Sequence, residues 1–179
     1  MKRLVFFILS SLVVFVITLY FRLGGHKSVT IEIQTLPQMH LVFAKHQGPY
    51  HEINQAISQV EKWAQQLNIP CRKTFGEYFD DPRQVDERHL QSIGGCVLTM
   101  PAPEISDKNI EYKNISEKKW LTAVFEGAPS IGPLKVYPKV EEYLSKNKLI
   151  KNGSVIEIYE IFSDKEARTQ YLFHVNISE

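Results

Sequence analysis

The chain has 179 residues, a formal net charge of +1 and a mean hydropathy of −0.20, with 21 basic and 20 acidic side chains interspersed along it. That balance leaves no basic stripe able to neutralise a phosphate backbone, which excludes nucleic acid as a partner. Cys71 and Cys96 stand in no metal-ligand spacing. They read as plain thiols, with one disulfide as the alternative, and neither a metal site nor a cofactor is expected.

Leu4 to Phe21 carries no charge. As a helix at about 1.5 Å per residue it is about 27 Å long, close to the hydrocarbon thickness of a bilayer. A cleaved signal is the competing reading, but this apolar core is longer than usual and no small-residue cleavage pattern follows it. Residues 1–25 are therefore read as a single-pass signal-anchor that contacts the bilayer through residues 4–21, and 26–179 as one soluble domain. In a bacterium the short basic tail of Lys2 and Arg3 resists translocation, which places the domain on the non-cytoplasmic side.

Beyond a Gly24, Gly25 hinge, Val29, Ile31 and Ile33 alternate with polar residues as in a half-buried strand, and Leu41 to Ala44 forms a second strand ending at Gly48, Pro49. Ile53, Ile57, Val60, Ala64 and Leu67 recur at helical spacing, and Pro70 is the stop. Strands follow at Phe75 to Phe79 and Ile93 to Met100, separated by a turn at Asp80, Asp81, Pro82 and a polar loop. Strands near Ile110 to Lys113 and at Trp120 to Phe125, a helix to about Lys148, and strands at Val155 to Phe162 and Gln170 to Val175 complete the chain. Pro138 would break a helix from within, so this second helix is expected to begin near it, after a short turn over Gly132 to Val136. The junction Ala44 to Gly48 recurs at Ala123 to Gly127, which suggests two strand-helix-strand-strand halves.

Alternation puts Val155, Glu157, Tyr159 and Ile161 on one face of their strand. A carboxylate two residues from a Tyr on an otherwise aliphatic face can hold a lipophilic cation, the ring adding about 0.5 to 2 kcal/mol of cation–π attraction. The bland alternative is the wet side of an antiparallel sheet. Tyr78 is the near-equivalent in the first half, and Trp120 is a further candidate for a groove wall. Glu77 and Asp80 read as solvated acids flanking a turn. No nucleophile elbow, His pair or phosphate loop is present, so no catalytic residue is assigned.

Val42 to Tyr50 with its Gly-Pro-Tyr, Gly76 to Pro82, and Glu157, Ile158, Tyr159 occur in an order that resembles the GyrI-like family, the effector-binding domain of bacterial multidrug-responsive activators. Together with the anchor and with Gln84, Val85, they are similar to its membrane-tethered subgroup, which includes a testis-expressed receptor for endoplasmic-reticulum autophagy. The resemblance implies an α+β fold of two pseudo-twofold-related halves, each strand, helix and β-hairpin. Their antiparallel sheet forms a concave groove backed by helices and preceded by one transmembrane helix. It also implies that Glu157 and nearby aromatic residues contact lipophilic or cationic small molecules. The function expected is non-catalytic binding in a groove between the halves. The rivals are a hydrolase of a reactive small molecule with Glu157 as its base, and a membrane-bound protein adaptor.

Overall fold

A computed structural model describes residues 2–163 and 166–177. Helix α1 (Lys2–Arg22) is long and apolar enough to cross a membrane, and its apolar window buries nothing against the rest of the chain. The residues after it form no free hinge. The Leu23 carbonyl accepts a hydrogen bond from the Ala128 N–H at 2.9 Å, and the Gly25 carbonyl accepts from Lys135 Nζ and from the Tyr20 hydroxyl, each at 2.6 Å. Gly24 has φ +80°, and a Cβ there would sit 3.0 Å from Gly127 Cα, so both its backbone conformation and its close approach require glycine.

The domain contains β1 (Val29–Leu36), β2 (Met39–Gln47), α2 (Asn54–Gln66), β3 (Lys73–Tyr78), β4 (Gln91–Leu98), β5 (Glu111–Ile115), β6 (Lys118–Phe125), α3 (Gly132–Lys146), β7 (Leu149–Ser163) and β8 (Glu166–Ile177). All eight strands form one antiparallel sheet in the order β1-β6-β8-β7-β3-β4-β2-β5. The two expected halves are β2-α2-β3-β4 and β6-α3-β7-β8, and they meet at the β3–β7 pair. The strand that precedes each half in sequence is exchanged: β1 pairs with β6 of the second half and β5 with β2 of the first.

This order forces the sheet to curl. β1 and β2 lie six strand spacings apart, about 29 Å if the sheet were flat, yet only Pro37 and Gln38 join them, a link of at most about 11 Å. The link of Ser116 and Glu117 between β5 and β6 imposes the same closure. Inside the curl, Leu41, Phe43, Phe75, Trp120, Ile156, Ile158 and Leu172 bury one another without any helix, joined by Leu36 and Ile115, the strand ends that precede the two links. Both helices pack on the outer face. α2 covers Val42, Ala44, Cys96 and Leu98, and α3 covers Leu121, Ala123, Phe125, Val155 and Phe173.

Two expectations are corrected. Helix α3 runs through Pro138 rather than starting at it. The hydrogen bond that proline removes is the one to the Leu134 carbonyl, and both residues lie on the solvent side, where water replaces it. Cys71 and Cys96 form a disulfide instead of remaining thiols. After α2, Asn68 at φ +56° turns the chain back, its turn closed by the Ile69 N–H donating to the Ala64 carbonyl at 2.8 Å, and the Cα atoms of Cys71 and Cys96 come to 5.5 Å, within bridging distance.

Candidate functional site

Glu157 lies at the centre of the sheet, paired with Gly76 on β3 and with Tyr171 on β8. Its side chain points to the helix-covered face, in the seam between the halves, and is only 4% exposed. The Tyr137 hydroxyl donates to Oε1 at 3.0 Å and the Tyr159 hydroxyl to Oε2 at 3.1 Å. With its proton so committed, Tyr159 accepts from the Tyr78 hydroxyl at 2.7 Å. Tyr78 and Tyr159 stand two residues beyond the paired Gly76 and Glu157, so they are equivalent about the local twofold of the β3–β7 pair.

The local sequence explains this arrangement. Gly76 has no side chain, so the Tyr78 ring lies across it; a Cβ at Gly76 would come within 2.7 Å of the Tyr78 hydroxyl and 2.9 Å of Cζ. The Gly48, Pro49 break ends β2 and sets Tyr50 in a 3-10 turn, from which its ring meets Tyr78 edge-on at 4.7 Å. The Tyr50 hydroxyl donates to the Asp80 carbonyl and accepts from the Asp80 N–H, which ties the rim to the turn after β3. Tyr171, fully buried beside Glu157, has a hydroxyl without a hydrogen-bond partner among the described residues. Gly76→Ala is expected to push Tyr78 off Tyr159 at a cost of about 1 kcal/mol, one hydrogen bond, readable as a lowered denaturation midpoint.

Burial raises the Glu157 pKa from 4.5 to about 7, although the two tyrosine hydroxyls oppose the shift. Burial also raises the pKa values of Tyr78, Tyr137, Tyr159 and Tyr171, and the neighbouring carboxylate adds to the effect in each. The site is thus one carboxyl group among aromatic rings, and among the described residues no Lys or Arg is paired with it. Its chemistry suits a cation with apolar substituents, for which carboxylate and ring faces supply the attraction in a dry setting.

Glu157, Tyr159 and Tyr78 are therefore brought together, but the carboxylate is covered by hydroxyls and does not line an open groove. Trp120 lies apart from them, 1% exposed inside the curl on the opposite face. Tyr137, Tyr171 and Tyr50 complete the site and escaped the sequence reading. Tyr137 fell between the turn expected over Gly132 to Val136 and the helix expected to begin near Pro138, and Tyr171 shares the alternation of Phe173. Tyr50 belongs to the Gly-Pro-Tyr motif itself.

Glu77, expected in solvent, is 6% exposed and faces the inside of the curl. There it pairs with Lys113 and accepts from the Ser154 hydroxyl at 2.6 Å. Nearby, Lys118 lies over the Trp120 ring at 4.3 Å and 3.1 Å from His174 Nε2. Burial lowers the pKa values of both Lys118 and His174. Among the described residues no group of His, Cys, Asp and Glu could hold a metal ion.

Similar architecture occurs in the C-terminal domain of EcmrR, at 12% identity and a TM-score of 0.65, covering 83% of this chain and 98% of that one. SAV2435 bound to tetraphenylphosphonium aligns at 14% identity with a TM-score of 0.52, covering 82% and 94%. A hydrolase from Listeria innocua aligns at 12% identity with a TM-score of 0.52, covering 82% and 93%. At these identities the likeness is one of fold. No curated protein sequence matches the chain. The sequence profile of the GyrI-like small molecule binding domain, however, matches residues 30–176, and the chain belongs to that family.

Proposed function

We propose that this chain is a membrane-tethered, non-catalytic receptor for lipophilic cations, with Glu157 as the counter-charge and Tyr78, Tyr159 and Tyr137 as the aromatic walls. The observation that carries the reading is a buried carboxyl group whose hydrogen-bonding partners, among the described residues, are tyrosine hydroxyls. A cation displaces those hydroxyls by side-chain rotation and takes the place of the proton. The tetraphenylphosphonium complex of SAV2435 supports this ligand class. Titrating tetraphenylphosphonium against the full chain in detergent should give saturable binding. Absence of binding by this and other lipophilic cations to folded protein would rule the reading out.

Helix α1 supports tethering through residues 1–25, with 26–179 as the soluble domain, as in the membrane-anchored subgroup. The disulfide supports placing that domain in an oxidising compartment, the non-cytoplasmic side in a bacterium. A second reading, a hydrolase with Glu157 as general base, draws on a carboxyl pKa of about 7, suited to proton transfer near neutrality. It requires turnover of a reactive electrophile that Glu157→Gln abolishes.

A further inference from the structure

The way α1 joins the domain selects the side that meets the bilayer. Leu23 and Gly25 are hydrogen-bonded to Ala128 and Lys135, so the anchor emerges beside the start of α3. Leu134, next to Lys135 in the first turn of that helix, is 77% exposed. Along the sheet, the first residue of β1, Val29, stands on a rung with Phe125, Thr169 and Tyr159. β7 and β8 continue beyond that rung to Ile161↔Ala167 and Ser163↔Glu166, on the side from which Lys27 and Ser28 lead out of the anchor. The overhang of four residues is about 13 Å. On this overhang Ile161 is 70% and Phe162 62% exposed.

Exposed apolar side chains beside a membrane anchor, with Arg22 and Lys27 at the exit to meet lipid headgroups, fit an interfacial contact. We propose that the end of β7 and the first turn of α3 form a second membrane contact, in which Ile161, Phe162 and Leu134 enter the lipid interface. The proposal rests on the reading of α1 as a membrane anchor. It has a functional consequence. Glu157, Tyr159 and Ile161 follow one another on the same face of β7, so the face that carries the buried carboxyl group runs out to the lipid, about 13 Å away. A lipophilic cation dissolved in the bilayer then reaches the site along that strand rather than from bulk water.

The test uses the full chain in phosphatidylcholine vesicles, with Trp introduced by Phe162→Trp and, separately, by Phe15→Trp in the middle of α1. Emission from Trp63 and Trp120 in the unsubstituted chain is subtracted. Replacing ordinary lipid with lipid brominated on the acyl chains should reduce the emission added by Phe162→Trp roughly twofold or more, as for a residue inserted about 5–10 Å into the interface, and aqueous acrylamide should leave it unchanged. Quenching by bromine in Phe15→Trp but not in Phe162→Trp would overturn the proposal and keep the anchor. Shielding of Phe162→Trp from bromine and acrylamide alike would mean that protein, such as a second copy, covers the end of β7, and would equally overturn it. No quenching in either variant removes the anchor reading and the proposal together.

Discussion

Glu157→Gln is expected to abolish the binding of lipophilic cations and, in the same protein, to raise stability above pH 7. In the unfolded chain this carboxyl group ionises near 4.5, and in the folded one near 7. Between those values the folded protein keeps a proton that the unfolded chain has released, so stability falls as pH rises through that window and levels off above it. The interval from 4.5 to about 7, at about 1.4 kcal/mol per decade, amounts to about 3 kcal/mol. Gln carries no charge into the interior and keeps an acceptor for Tyr137. The variant should therefore gain about 2 to 3 kcal/mol at pH 8, or about 5–10 °C in Tm, with the gain vanishing below pH 4.5. Cation affinity moves the other way. The loss of a buried charge partner costs about 2 kcal/mol or more, at least about 30-fold in Kd. In the unsubstituted chain, affinity should rise about tenfold per pH unit up to 7 and then level off, because the ligand competes with one proton. Thermal melts and tetraphenylphosphonium titrations between pH 5 and 9 check both. A variant of unchanged stability and unchanged affinity would mean that Glu157 is neither strained nor in the site.

The second large effect concerns the Cys71–Cys96 disulfide. It closes a sequence separation of 25 residues that contains the last strand-to-strand turn of the first half. Restriction of the unfolded chain by a loop of that length contributes about 3 to 4 kcal/mol. The Cys71→Ser, Cys96→Ser double variant should accordingly melt about 10 °C lower. Reduction alone should have nearly the same effect, since Cys96 is fully buried against α2 and its thiol packs there as a small apolar group. Mass analysis after alkylation of unreduced protein in denaturant should show neither cysteine modified. Two modified cysteines in protein taken from its native membrane would remove both the stabilisation and the assignment to an oxidising compartment.

The binding residues were legible to different degrees. Glu157 and Tyr159 could be singled out because strand alternation is local and both sit in an apolar run. Tyr78 could be named, but not its reach across Gly76 to the Tyr159 hydroxyl, since that contact depends on a strand register spanning 81 residues. Tyr137 was hidden by Pro138: helix propensity argues against a proline within a helix, whereas on a solvent-facing side the missing bond costs little. Trp120 and Glu77 were misplaced for one shared reason. The side chains of a strand divide between two faces by rule, but only the curl decides that the helix-free face is closed as well.

What the sequence by itself determined is everything with a short period: the uncharged run of α1, the strand and helix alternations, the glycine and proline junctions, and the order of elements that identifies the family. These survive because each depends on residues within about one helical turn or one hairpin of one another. Tertiary structure alone decided the exchange of β1 and β5 between halves, the curl imposed by two-residue links, the pairing of Cys71 with Cys96, and the cover of tyrosine hydroxyls over Glu157. Each of these depends on which distant segments meet, a consequence of burying apolar surface over the whole chain that no local pattern records.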